Sequence, residues 1–168
     1  MTVAPSNSAS RAIGWGGLLA GVGDITQAFV AFGLAFHATP FRILQSIARG
    51  YFGPRTFAMG WTSALLGLAT HFFIAFTAAA VYYLASRSFP RKAGRVLTEH
   101  AVVCGLLYGL VVFSVMYFVV MPLTPIGWPR MNLANWVTGP VGHPLLVGLP
   151  IALSVRKYSP RIDADARG

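Results

Sequence analysis

Four apolar runs dominate the chain, near Ala12–Phe36, Gly60–Ala85, His100–Met121 and Met131–Val155. A helix needs about 20 mostly apolar residues to cross a bilayer, and each run meets that length. The runs read as spanning helices. Only 10% of the 168 residues are charged, against about 25% in soluble domains. The expected fold is all-α: a polytopic membrane protein with a four-helix bundle at residues 12–155. Residues 1–11 form a polar N-terminal tail and 156–168 a basic, polar C-terminal tail.

The net charge of +9 is unevenly placed. With the N-terminus inside, Arg11, Arg87, Arg91, Lys92, Arg95, Arg156, Lys157, Arg161 and Arg167 lie on the cytoplasmic side. Arg42, Arg49, Arg55 and Arg130 remain on the other. Nine against four is the positive-inside asymmetry, with both termini cytoplasmic. A basic rim beside a membrane attracts anionic headgroups, so the expected partner of this charge is lipid and not nucleic acid. The first run is too long for a signal-peptide core and lacks a clear cleavage site, so it reads as a retained helix. Cys104 is the only cysteine and reads as a packing residue.

Small residues line the expected helices. Gly17, Ala20, Gly21, Asp24, Gln27, Ala28, Ala31 and Ala35 form one stripe on the first helix, with Leu18, Val22 and Ile25 on other faces. Ala64, Gly67, His71, Ala75, Ala78 and Tyr82 do the same on the second, and Gly105 and Gly109 on the third. Small residues let helix backbones approach closely in lipid, so Gly17, Gly21, Gly67, Gly105 and Gly109 are expected at packing seams. Trp61 and Tyr82–Tyr83 are expected at opposite water interfaces. The fourth helix carries Pro140, Pro144 and Pro150, which kink helices. Between the first two helices, Phe41, Leu44, Ile47, Ala48 and Tyr51 oppose Arg42, Gln45, Ser46 and Arg49. That pattern predicts an amphipathic helix on the outer side, starting near Pro40 and ending at Gly50–Pro54.

Asp24 is the only carboxylate inside the four runs. A charge at mid-membrane costs roughly 2.5–3.5 kcal/mol on insertion scales, which makes it a candidate functional residue. His71, Tyr108 and His143 fall near the same depth, and Gln27 lies one turn from Asp24. Three readings fit this group. The polar residues lock helix register as interhelical hydrogen bonds. Alternatively they handle a proton or small solute, which in so small a bundle calls for a homo-oligomer. In the third, Asp24, His71 and His143 ligate a metal, or the two histidines a haem. Outside this third reading the sequence calls for no cofactor. No hydrolase triad or phosphate-binding loop appears, so the chain leans away from an enzyme. Gly67-x-x-x-His71 and Gly139-x-x-x-His143 share a spelling that an internal duplication would leave.

Longer stretches carry a resemblance. Gly21-x-x-Asp24 is followed by Pro40-x-x-Ile43-Leu44-Gln45-Ser46-Ile47-Ala48-x-Gly50-x-x-Gly53. Further on come Ala64-Leu65-x-Gly67-x-x-x-His71, Gly105-x-x-Tyr108-Gly109, and His143 before Gly148-Leu149-Pro150-Ile151-Ala152-Leu153. The chain resembles a family of uncharacterised bacterial inner-membrane proteins whose four-helix layout is similar to that of the YagU-like proteins. The resemblance implies a multi-pass protein of the bacterial cytoplasmic membrane and a link to acid tolerance. Pro140 and Pro144, on either side of His143, depart from the family's pattern.

Overall fold

The computed structural model describes residues 5–129 and 131–158, with side chains from residue 8 onward except that of residue 91. Helix α1 (Pro5–Phe36) leads through a left-handed residue, His37 (φ 53°), to α2 (Pro40–Phe52). Thr39 caps α2: its Oγ1 accepts from the Arg42 N–H at 3.3 Å, and Pro40 occupies the first turn. A 3₁₀ stretch (Gly53–Ala58) precedes α3 (Gly60–Ser88), and α4 (Arg91–Glu99) joins α3 to α5 (Ala101–Leu123). The last helix, α6 (Leu133–Tyr158), starts at Asn132, whose Oδ1 accepts from the Asn135 N–H at 3.0 Å.

The expected all-α polytopic bundle is observed. Four helices are long and apolar enough to cross a membrane: α1 over Ser8–Phe36, α3, α5 and α6. The expected amphipathic helix between the first two long apolar helices is α2. The first helix starts earlier than expected, since Pro5 to Arg11 are already helical. Residues 1–4, 130 and 159–168, which hold Arg130, Arg161, Arg167 and most of the C-terminal tail, lie outside the described residues.

Helix α1 packs against both α3 and α6, and α6 packs against both α1 and α5. Helices α3 and α5 are bridged by side chains: the Tyr108 hydroxyl donates to Ala78 O at 2.7 Å, and its ring meets Tyr82 edge-on at 4.9 Å. The apolar core joins Ala12, Ala20, Ala79, Tyr82, Tyr83, Ala101, Val147, Ile151, Ala152 and Val155. These residues bring the start of α1, the end of α3, the start of α5 and the end of α6 to one end of the bundle. Arg11 lies over the Tyr158 ring at 5.0 Å, and Arg87 over Tyr83 at 5.6 Å, at this same end. Helix α2 and the Thr124–Ile126 turn approach each other at Gly50, at the opposite end.

The expected packing glycines sit at seams, but not all at the same kind. A Cβ on Gly17 or Gly21 would run into the rings of Phe76 and Phe72 on α3. On Gly105 it would meet Ala152 Cβ at 2.8 Å, and on Gly109 the backbone of His143 and Pro144 on α6. Gly148 returns the contact from α6, against the backbone of Gly105 and Gly109. Gly67 abuts the Leu44 carbonyl, so its neighbour is α2 and not another spanning helix.

Three expectations are corrected. Tyr82 is only 2% exposed and its hydroxyl donates to Leu97 O at 2.8 Å, so it anchors α4 to the core and does not face an interface. Tyr83 is buried too, whereas Trp61 is 71% exposed as expected. Ile25, assigned to an outer face of α1, is buried. Gln45, assigned to the polar face of α2, is 1% exposed and turned inward. Helix α4 itself was not anticipated: Pro90 and the charges of Arg91, Lys92 and Arg95 disguise a short helix held through Leu97 and Val96.

Candidate functional site

The candidate site lies one turn beyond the apolar core, on the seam between α1 and α6. Pro140 and Pro144 have no N–H to give, so carbonyls one turn before each lose their usual helical partner. The helix absorbs this by widening: Val137–Gly148 follows i→i+5 bonding, with the Leu149 N–H on Pro144 O. The sequence suggests a kink at these prolines; the structure has a continuous helix with a π-helical middle.

In this widened segment the Thr138 carbonyl receives two side chains. His143 Nδ1 donates to it at 2.7 Å and Gln27 Nε2 donates from α1 at 3.0 Å. Gly142 makes the approach of Gln27 feasible, since a Cβ there would collide with the Gln27 amide. Asp24 Oδ1 lies 3.8 Å from His143 Nδ1. That separation is too long for a hydrogen bond and within the range of an ion pair. The two side chains are 21% and 19% exposed, respectively. Phe113 of α5 packs edge-on to the imidazole at 5.7 Å. Among the described residues, His143 is the one polar partner recorded for the Asp24 carboxylate.

His71 and Tyr108 do not join this group. His71 Nε2 donates to Gly21 O at 2.8 Å, and its ring stacks edge-on against Phe72. Tyr108 is committed to Ala78 O. The five candidates therefore divide: Asp24, Gln27 and His143 converge, while His71 and Tyr108 each tie their helix to a neighbour's backbone. Among the described residues no three His, Cys, Asp or Glu side chains gather as metal ligands, so the Asp24–His71–His143 donor set is not assembled. Cys104 contributes a weak contact from Sγ to Val96 O at 3.5 Å.

Thr138 was missed by the sequence reading because its contribution is a main-chain carbonyl, and residue identity carries no record of it. The prolines at 140 and 144 were the available signal. A second polar cluster was also missed, under α2. Gln45 Nε2 donates to Ser63 Oγ at 3.1 Å and Gly60 O at 3.2 Å, and Ser63 Oγ donates to Thr56 O at 2.8 Å. Gln45 Oε1, Thr56 Oγ1 and Arg49 Nε are buried there without a hydrogen-bond partner among the described residues.

No protein-family model, curated protein or solved structure matches this chain.

Proposed function

We propose that this is a multi-pass membrane protein in which Asp24 and His143 form a protonatable mid-membrane site serving proton or small-solute movement. The supporting observation is the incompleteness of the Asp24 contacts. A carboxylate that only locks helices together is expected to accept hydrogen bonds from a neighbouring helix, and Asp24, its side chain 21% exposed, accepts none among the described residues. Asp24 instead stands 3.8 Å from its neighbour. Ionisable groups kept in a membrane at such cost mark ion pathways and proton relays.

The bacterial cytoplasmic membrane, with both termini inside, belongs to the same proposal. It is supported by the basic residues at the end of the bundle shared by Arg11, Arg87, Arg156 and Lys157, and by the resemblance to uncharacterised bacterial inner-membrane proteins. Anionic headgroups are the proposed partners of that rim. A second reading, in which the polar residues are structural, draws on His71 and Tyr108, both bonded to backbone carbonyls of adjacent helices.

The test is flux in vesicles reconstituted with purified protein. A pH-dependent flux lost in Asp24→Asn, with the variant still folded, is the expected result. Equal flux in wild type and Asp24→Asn would leave only the structural reading.

A further inference from the structure

The atoms around Thr138 distinguish among the species this site could take. A carbonyl oxygen only accepts, so Gln27 Nε2 and His143 Nδ1 both point hydrogens at Thr138 O. Asp24 supplies the charged acceptor, and Gln27 Oε1 and the second ring nitrogen of His143 are the other side-chain acceptors of the group; among the described residues no three His, Cys, Asp or Glu side chains gather there as ligands. Bound metal cations need roughly four to eight lone-pair donors, whereas a proton needs one acceptor and one donor within reach. We infer that the species handled here is the proton, exchanged between His143 Nδ1 and Asp24 Oδ1, an inference that rests on reading the node as the functional site.

The exchange balances simply. His143 enters as an imidazolium beside the Asp24 carboxylate. The Nδ1–H bond breaks with its electron pair staying on nitrogen, and an O–H bond forms on Oδ1. The products are a neutral imidazole, protonated at Nε2, and a neutral carboxylic acid. To cover the 3.8 Å gap the ring must leave Thr138 O. Gln27 stays bonded to that carbonyl at 3.0 Å, so the departure does not orphan it. This gives Gln27 a role that helix locking alone does not: it keeps the acceptor satisfied while His143 moves.

Among the described residues, the other titratable groups on the elements packed around the pair have partners or positions elsewhere. On α3, His71 is held by Gly21 O. On α5, Tyr108 donates to Ala78 O and Tyr117 to Pro129 O. On α2, Tyr51 pairs with Thr70 Oγ1 and Arg42 lies over Phe57, while the buried Arg49 Nε belongs to the Gln45 cluster's end of the bundle. The exchange therefore involves two side chains.

The experiment combines proton flux with histidine tautomers. Full-length protein in phospholipid vesicles holding a pH dye is driven by a potassium diffusion potential. Nitrogen-15 NMR of histidine-labelled wild type in the same lipid reads which ring nitrogen of His143 is protonated. Expected are an Nδ1-protonated His143 at neutral pH and a proton flux reduced about 100-fold in Asp24→Asn and His143→Gln, the scale of losing a positioned proton-transfer group. Asp24→Glu should recover part of it, which separates chemistry from misfolding. Sodium or zinc should neither permeate nor compete. If sodium or zinc flux replaces proton flux and is still lost in Asp24→Asn, the proton inference falls while the functional site stands. A His143 whose Nδ1 is unprotonated at every pH tested also overturns the inference, because Nδ1 then never holds the proton to be passed. If no probe's flux depends on Asp24, both fall.

Discussion

Helix α1 meets its two neighbours through seams built from the same materials. Each combines glycines on α1 with a histidine from the facing helix, and the two histidines share the spelling Gly-x-x-x-His. On the α3 side, Gly17 and Gly21 make room for Phe76 and Phe72, and His71 closes on Gly21 O. On the α6 side, His143 donates to a carbonyl of its own helix, and the acid facing it is left at 3.8 Å. The difference lies in the backbone behind the histidine. Helix α3 is a regular α-helix from Gly60 to Ser88, whereas Pro140 and Pro144 hold the middle of α6 in a π-helix. On the regular helix, His71 finds its partner across the seam; on the widened helix, His143 finds it at home, and the acid across the seam stays open.

The sharpest way to break this contrast is at Gly148, where α5 and α6 touch backbone to backbone. Gly148→Leu leaves the side chain no space against Gly105 and Gly109, and the expected outcome is loss of the folded bundle in a detergent thermal-unfolding assay. Gly14→Ala, with nothing near its Cβ, should leave the melting curve unchanged. If both variants melt alike, backbone contact does not define the α6 side.

Function should divide along the same line. Asp24→Asn is expected to abolish flux with little change in stability, because the carboxylate makes no hydrogen bond among the described residues. His71→Leu should do the reverse, retaining flux and losing roughly 0.6–2 kcal/mol, the size of an interhelical hydrogen bond in a membrane. Stability measured by denaturant titration alongside flux distinguishes these; a His71→Leu variant that stops flux would erase the distinction between seams. Tyr108→Phe removes the bond to Ala78 O and should cost about 0.6 kcal/mol, the average for such bonds in a membrane protein. Here an unchanged unfolding midpoint would mean that the Tyr82–Tyr108 ring contact, and not the hydroxyl, bridges α3 and α5.

The parts of the fold that were legible from sequence are those governed by local composition. Run length and apolarity gave the four long apolar helices, and Pro40 with the spacing of Phe41, Leu44, Ile47, Ala48 and Tyr51 gave α2. Helix α4 escaped because its polar face outweighs two apolar residues, and its stability comes from Tyr82 and Cys104 on other helices. Gln45 was misplaced for a related reason. Its polarity suggested water, while Ser63 and the carbonyls of Thr56 and Gly60 supply a buried polar lining.

By itself the sequence determined that the chain forms an all-α bundle of four apolar helices, with one carboxylate at mid-span. A long apolar run satisfies its backbone hydrogen bonds within a single helix, so length and composition decide the outcome. Tertiary structure alone decided which polar residues meet. Depth along a helix is written in residue number, but partnership depends on rotation about the helix axis and on how far the backbone departs from regular α geometry. Two prolines altered both in α6, and Asp24 came to face His143 instead of His71.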